Sequence, residues 1–216
     1  MIVVIDYGSG NLRSVAKALE RVGGQVCVSS CQADIERADH LVLPGVGAFA
    51  DCRHNLQHSG LVDPLLCHVQ QGKPFLGICV GMQLLFSVSH EFGCHDGFGL
   101  IPGVVQPFAA NQIDPQFPDR RLKVPHMGWN QVQQTRSHPL WSAIPDWSHF
   151  YFVHSYYGQP EHGGDTAAVS NYGIPFTAAV AKGNLFATQF HPEKSQKHGL
   201  QLLHNFINWN GEEGRP

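Results

Sequence analysis

Apolar positions along the first half of this chain switch between two periods. Residues 2–5 are a short β-branched run that predicts a strand, and Tyr7-Gly8-Ser9-Gly10-Asn11 after it reads as a turn. Leu12, Val15, Ala16 and Leu19 then fall at helical spacing, and Gly23-Gly24 ends that helix. Residues 25–29 predict a second strand. Leu41-Val42-Leu43 predicts a short buried strand that stops at Pro44. Residues 61–71 predict a helix broken or begun near Pro64, residues 74–78 a buried strand, and residues 81–90 a helix.

The second half is richer in strands, predicted at 100–108, 121–134, 149–153, 166–170, 176–182 and 185–190. Residues 110–120 are polar and contain proline, which predicts an exposed loop. Leu200, Leu203, Phe206 and Ile207 give residues 195–209 one apolar side, the mark of an amphipathic closing helix. Short apolar strands separated by helices indicate an α/β fold. The expectation is a doubly wound, mostly parallel sheet with helices on both faces. Residues 1–210 are expected to form one domain and 211–216 a frayed tail.

Composition narrows the class. A hydrophobic fraction of 43% and a charged fraction of 14% describe a folded globular chain. The net charge of -3 gives no basic balance for nucleic acid. The 14 histidines are expected to raise the charge steeply below about pH 6.5. The N-terminus has no basic leader or cleavage site, and no apolar run approaches the roughly 18 residues of a membrane span. Cys27, Cys31, Cys52, Cys67, Cys79 and Cys94 are scattered through a chain too large to need disulfides. They read as free thiols in a reducing cytoplasm.

The chemistry concentrates at Gly77-Ile-Cys79-Val-Gly81. Here an apolar strand runs directly into a helix-like segment, in the cysteine form of the Gly-x-Ser-x-Gly nucleophile elbow. Glycines on either side let the neighbouring backbone come close. The turn lifts the Cys79 thiol to the carboxyl end of the sheet, where such folds bind ligands. The start of a helix there favours thiolate, and the N–H of Val80 points where a tetrahedral oxyanion would form. A buried core cysteine is the plain alternative.

A cysteine nucleophile needs a histidine. His191, in Gln189-Phe-His-Pro-Glu-Lys-Ser195, follows an apolar strand about 110 residues downstream. Glu193 lies two positions on, so both side chains project the same way from an extended segment. Its carboxylate would hold the imidazole tautomer, and Pro192 would fix the backbone between them.

These residues resemble the class I, triad-type glutamine amidotransferases. Asp6-Tyr-Gly-Ser-Gly-Asn11, Leu43-Pro-Gly-Val-Gly-Ala-Phe49, Gly77-Ile-Cys-Val-Gly-Met-Gln-Leu-Leu-Phe86, Pro125-His-Met-Gly-Trp-Asn130, Tyr151-Phe-Val-His-Ser-Tyr-Tyr157 and Gln189-Phe-His-Pro-Glu-Lys-Ser195 extend the resemblance over residues 6–195. Within the family they are similar to the glutaminase subunits of imidazole glycerol phosphate synthases. The resemblance implies that Cys79 is the nucleophile, His191 the base and acid, and Glu193 the orienter. It implies an oxyanion hole from Val80 and the Gly45-Val46-Gly47 loop, and glutamine binding by Gly47, Gln83, Glu91, Ser155 and Tyr156. It places Asn11, Trp129, Tyr151 and Lys194 at the partner interface or near an ammonia passage. Trp129 and Tyr151 read equally well as core aromatics. The implied partner is a (β/α)₈ cyclase, with glutaminase activity low until the synthase binds its own substrate. Val80 stands where leucine is common.

Other readings compete. A different class I synthase would use the same triad, a cysteine hydrolase would need no partner, and a binding module would not need Cys79. Cys52, His54 and His58, with Cys94-His95 downstream, lack a fourth ligand at zinc spacing and read as solvated histidines. Tyr7-Gly8-Ser9-Gly10 lacks the context of a dinucleotide loop, so no cofactor and no metal are expected.

Overall fold

The computed structural model describes residues 1–114 and 117–213. The first half alternates strand and helix: β1 (Ile2–Ile5), α1 (Leu12–Arg21), β2 (Val26–Ser29), α2 (Gln32–Arg37), β3 (His40–Gly45), α3 (Phe49–His58), α4 (Val62–Gln70), β4 (Phe75–Cys79) and α5 (Val80–Gln83). Strands then dominate: β5 (Phe86–Ser89), β6 (His95–Asp96), β7 (Ile101–Pro107), β8 (Ile113–Asp114), β9 (Phe117–Arg121), β10 (His126–Gln134), β11 (Ser148–His154) and β12 (Tyr156–Pro160). β13 (Thr166–Tyr172), β14 (Ile174–Lys182), β15 (Leu185–Thr188) and α6 (Gln196–Ile207) complete the chain.

One large sheet runs β11-β10-β13-β14-β15-β4-β3-β1-β2. From β15 to β2 its pairings are parallel, and from β11 to β15 antiparallel. The parallel half comes from short apolar strands buried on both faces, with Val3, Val4, Leu41, Val42, Phe75 and Leu76 fully inaccessible. α6 presents Leu202, Leu203 and Phe206 to the core. A smaller sheet, β12-β7-β5-β6, stands beside the large one. Among the described residues no helix is long and apolar enough to cross a membrane.

Several local expectations are revised. The predicted helix 81–90 is a single turn, Val80–Gln83, followed by strand β5. The carbonyls of Leu84, Phe86 and Leu85 accept instead from the N–H groups of Phe98, Gly99 and Ile101. Tertiary pairing thus overrides the local apolar pattern. β3 continues through Pro44 to Gly45, paired with Ile78 and Cys79. Its β1 ladder ends at Val42, so the missing proline N–H is tolerated there.

At the C-terminus, Glu213 Oε1 accepts from Arg136 Nη2 at 2.9 Å and from Gly183 N at 2.6 Å. Residues 211–213 of the expected frayed tail are therefore tethered, and 214–216 lie outside the described residues. The expected loop 110–120 overlaps the antiparallel pair β8 and β9, with 115–116 also outside the described residues.

Candidate active site

β4 and β15 lie side by side in the parallel half, and the chain leaves both at the same end. That register brings the elbow after β4 next to the His191 segment after β15. Cys79 has φ 56° and ψ -111°, a left-handed conformation that strains any residue with a side chain. Tight packing holds it there. A Cβ on Gly81 would drive into the carbonyl oxygen of Leu43, and one on Gly77 would sit 2.8 Å from the carbonyl oxygen of Gly81. Both glycines are thus required by close backbone approach. Because α5 is one turn long, little of the macrodipole expected from a longer helix is present at the thiol.

His191 is 1% exposed. Its Nδ1–H donates to Glu193 Oε1 at 2.9 Å, and the carboxylate side chain is fully buried. This fixes the tautomer and leaves Nε2, which has no hydrogen-bond partner among the described residues, for chemistry. Burial alone would favour the neutral ring. The Cys79 sulfur and the Glu193 carboxylate outweigh it and push the imidazole up to about 10. Ser195 braces the segment by accepting from Tyr151 N at 2.9 Å and donating to the His191 carbonyl at 2.6 Å.

A cavity of about 290 Å³ opens on these groups, at the small end of ligand pockets. Cys79, Val80, His191, Val46, Gly47, Gln83, Glu91, Ser155 and Tyr156 all line it. Gly45 lies just behind, paired with Cys79 across β3 and β4. Both amide hydrogens of Gln83 are committed, to Tyr156 O at 3.1 Å and Gln189 Oε1 at 3.0 Å, so its side-chain oxygen remains for a ligand. Glu91 spends Oε2 on the N–H of Phe49 at 2.6 Å, and burial raises its carboxyl above the ordinary value. The Val46 carbonyl accepts from Ser9 Oγ at 2.7 Å and Cys52 Sγ at 3.4 Å. A trans peptide therefore turns the N–H of Gly47 the opposite way.

The family model of class-I glutamine amidotransferases matches residues 3–209. The imidazole glycerol phosphate synthase subunit HisH of Syntrophotalea carbinolica is 53% identical over 206 residues, covering 95% of this chain and 98% of that one. Its namesake in Pseudomonas putida is 54% identical over 211 residues, covering 97% and 98%. The chain belongs to the class-I glutamine amidotransferases. Among solved structures, a glutamine amidotransferase superposes with a TM-score of 0.72 at 18% identity, covering 96% of this chain and 98% of that one. The PurLQS structure from Thermotoga maritima also gives 0.72, at 15% identity, covering 96% and 97%. These two likenesses bear on the fold alone.

In this amidotransferase Trp129, Tyr151 and Lys194 form one group. Trp129 meets Tyr151 edge-on at 6.0 Å, and Lys194 Nζ stands 5.8 Å over the Tyr151 ring. Trp129 is 47% exposed, so it is a surface aromatic and not a core one. Asn11 stands at the start of α1, next to Gly10, which packs on Pro44.

Sequence reasoning missed Gln189, whose Nε2 donates toward Cys79 Sγ at 3.7 Å, and the cavity-lining Pro125, Val153 and His154. Gln189 lies two residues before His191 in the same motif, and that strand spacing was the available signal. His54 and His58 stack at 3.8 Å near Cys94 and His95. Among the described residues no cluster of three or more ligating side chains is set to hold a metal.

Proposed function

We propose that this chain hydrolyses glutamine to glutamate and ammonia as the glutaminase subunit of an imidazole glycerol phosphate synthase in histidine biosynthesis. The observation that carries the proposal is the cavity in which a strained Cys79 meets His191, itself held by buried Glu193. The substrate and pathway rest on relatives above 50% identity over nearly the whole chain.

In this reading the Cys79 thiolate adds to the side-chain carbonyl carbon of glutamine. The N–H groups of Val80 and Gly47 take the oxyanion. His191 Nε2–H protonates the leaving nitrogen. The C–N bond breaks, ammonia departs, and a γ-glutamyl thioester remains on Cys79. The neutral ring then removes a proton from water, which attacks the thioester, and glutamate leaves as the thiol is restored. Gln83 Oε1 and the free oxygen of Glu91 accept from the substrate ammonium. Ser155 and Tyr156 supply donors to its carboxylate.

Ammonia in bulk water is mostly protonated, so a dry route to a second site gives the reaction its use. Val46, 41% exposed, lines the cavity, and Val124 at 43%, Met127 at 62% and Trp129 at 47% are exposed on the segment that flanks the cavity-lining Pro125. This patch, with Tyr151, Lys194 and Asn11, is the face proposed for a (β/α)₈ cyclase partner in a heterodimer. That partner would use the ammonia to make imidazole glycerol phosphate and aminoimidazole carboxamide ribotide, in the cytoplasm. The free cysteines suit such a reducing compartment.

The test is glutamate release by the chain with and without the cyclase, each with and without its ribonucleotide. Strong release only in the full mixture is expected. Full release by the chain alone would remove partner control, and none under any condition would overturn the glutaminase reading.

A further inference from the structure

The chemistry above leaves two histidines beside the cavity unused. His126 on β10 faces His154 on β11 across the strand pair, and the two are 3% and 6% exposed. Their hydrogen bonds admit one arrangement of protons. The carbonyl oxygen of Tyr156 only accepts, and His154 Nδ1 lies 2.8 Å from it, so Nδ1 carries the hydrogen. His154 Nε2 is then an acceptor, and its donor at 2.9 Å is His126 Nδ1. His126 Nε2 accepts in turn, from Asn130 Nδ2 at 3.3 Å. The same amide nitrogen also donates to Asn171 O at 2.8 Å, while Asn130 Oδ1 accepts from Gln131 N.

The chain of bonds thus runs one way, from Asn130 through both rings to the Tyr156 carbonyl. Phe108, Phe152, Tyr172 and Phe176 surround His126, and the three phenylalanines also flank His154. Burial holds both rings neutral, His126 at about 4 and His154 at about 3. An apolar pair would fill this aromatic cluster without the desolvation of two imidazoles. What the imidazoles add is direction at one acceptor. The Tyr156 carbonyl that ends the chain also takes a hydrogen from Gln83 Nε2.

We infer that the His126–His154 pair, fed by Asn130, is a positioning device for substrate binding. It locks the Tyr156 carbonyl, and through it Gln83, so that the free Gln83 oxygen meets the ammonium group of bound glutamine. The inference rests on the glutaminase reading. Neither ring acts on the reacting atoms. His154 lines the cavity, but both its nitrogens are committed.

The test compares His126→Phe with His126→Asn in the complex with the cyclase. Phenylalanine keeps the ring and loses both bonds. Asparagine loses the ring but places an amide N–H near the position of Nδ1. With His126→Phe the glutamine KM should rise about tenfold, the order expected for one broken buried hydrogen bond, while kcat stays within about threefold. His126→Asn should return KM to within about threefold of wild type, although it melts lower for lack of ring packing. A KM unchanged in His126→Phe, or raised equally in both variants, would overturn the inference. If His126→Phe does not fold, Asn130→Ala at a half-buried position replaces it, with a KM rise of about threefold expected. An unchanged KM there would also overturn it. A wild-type complex that releases no glutamate would instead remove the glutaminase reading, and this inference with it.

Discussion

Replacing Glu193 by glutamine removes one charge and almost no volume. The carboxylate is fully buried and 2.9 Å from His191 Nδ1, and the ring is equally shielded, so solvent cannot restore what is lost. A hydrogen bond to a charged group contributes about 1.5–3 kcal/mol, a neutral one about 0.5–1.5 kcal/mol. The imidazolium, which His191 regains as the ring takes a proton from water in thioester hydrolysis, therefore loses roughly 1–2 kcal/mol. That converts to a kcat about five- to thirtyfold lower. Glu193 does not line the cavity, so KM should stay within about twofold.

The pH dependence follows from the Cys79 sulfur and from this contact, which together raise the ring. Wild-type His191 keeps its proton up to about 10. Without the carboxylate it releases it earlier, and the alkaline limb of kcat moves down. For stability, the folded value lies above the ordinary 6.5. The contribution is therefore complete below about pH 6.5 and lost as pH rises toward 10. The difference in melting temperature between variant and wild type should be widest on the acid side. Steady-state glutamate release by the complex from pH 6 to pH 10, with melts of both proteins, measures all of this. A Glu193→Gln enzyme with wild-type kcat and an unmoved alkaline limb would refute the reasoning.

Three further outcomes are expected. Cys79→Ala and Cys79→Gly should both abolish glutamate release, yet the glycine variant should melt higher, because φ 56° strains alanine by about 1–3 kcal/mol and glycine hardly at all. An alanine variant melting higher would remove the strained elbow. Gly81→Ala should cost about 2 kcal/mol or more in a urea titration, since its Cβ meets the Leu43 backbone, and an unchanged midpoint would contradict the close approach. Burial holds His68, His126 and His138 at about 4 and His154 at about 3. Their folded values lie below 6.5, so the unfolded chain binds more protons as pH falls, at about 1.4 kcal/mol per proton per pH unit. Stability present above pH 6.5 should drop steeply toward pH 4, and equal urea midpoints at pH 7 and pH 5 would refute this.

Much of the chemistry was legible in the sequence because it is local. Gly77 to Gly81 specify a turn by what they lack, and His191 and Glu193 meet because two residues of chain separate them. The strands around them were legible because buried parallel strands are short apolar runs. Residues 84–89 were misread because the same run of Leu84, Leu85 and Phe86 suits a helix or a strand, and backbone donors far along the chain decided between them. The histidines share one residue type but not one fate. His191 is held protonated by its neighbours, whereas His126 and His154 are held neutral by an aromatic cluster drawn from several strands and a loop. Sequence alone determined which reactive groups this protein owns and which are tied to each other along the backbone. Only the tertiary structure decided which distant groups share the cavity and which protons they carry, because strand register and burial are properties of the assembled sheet.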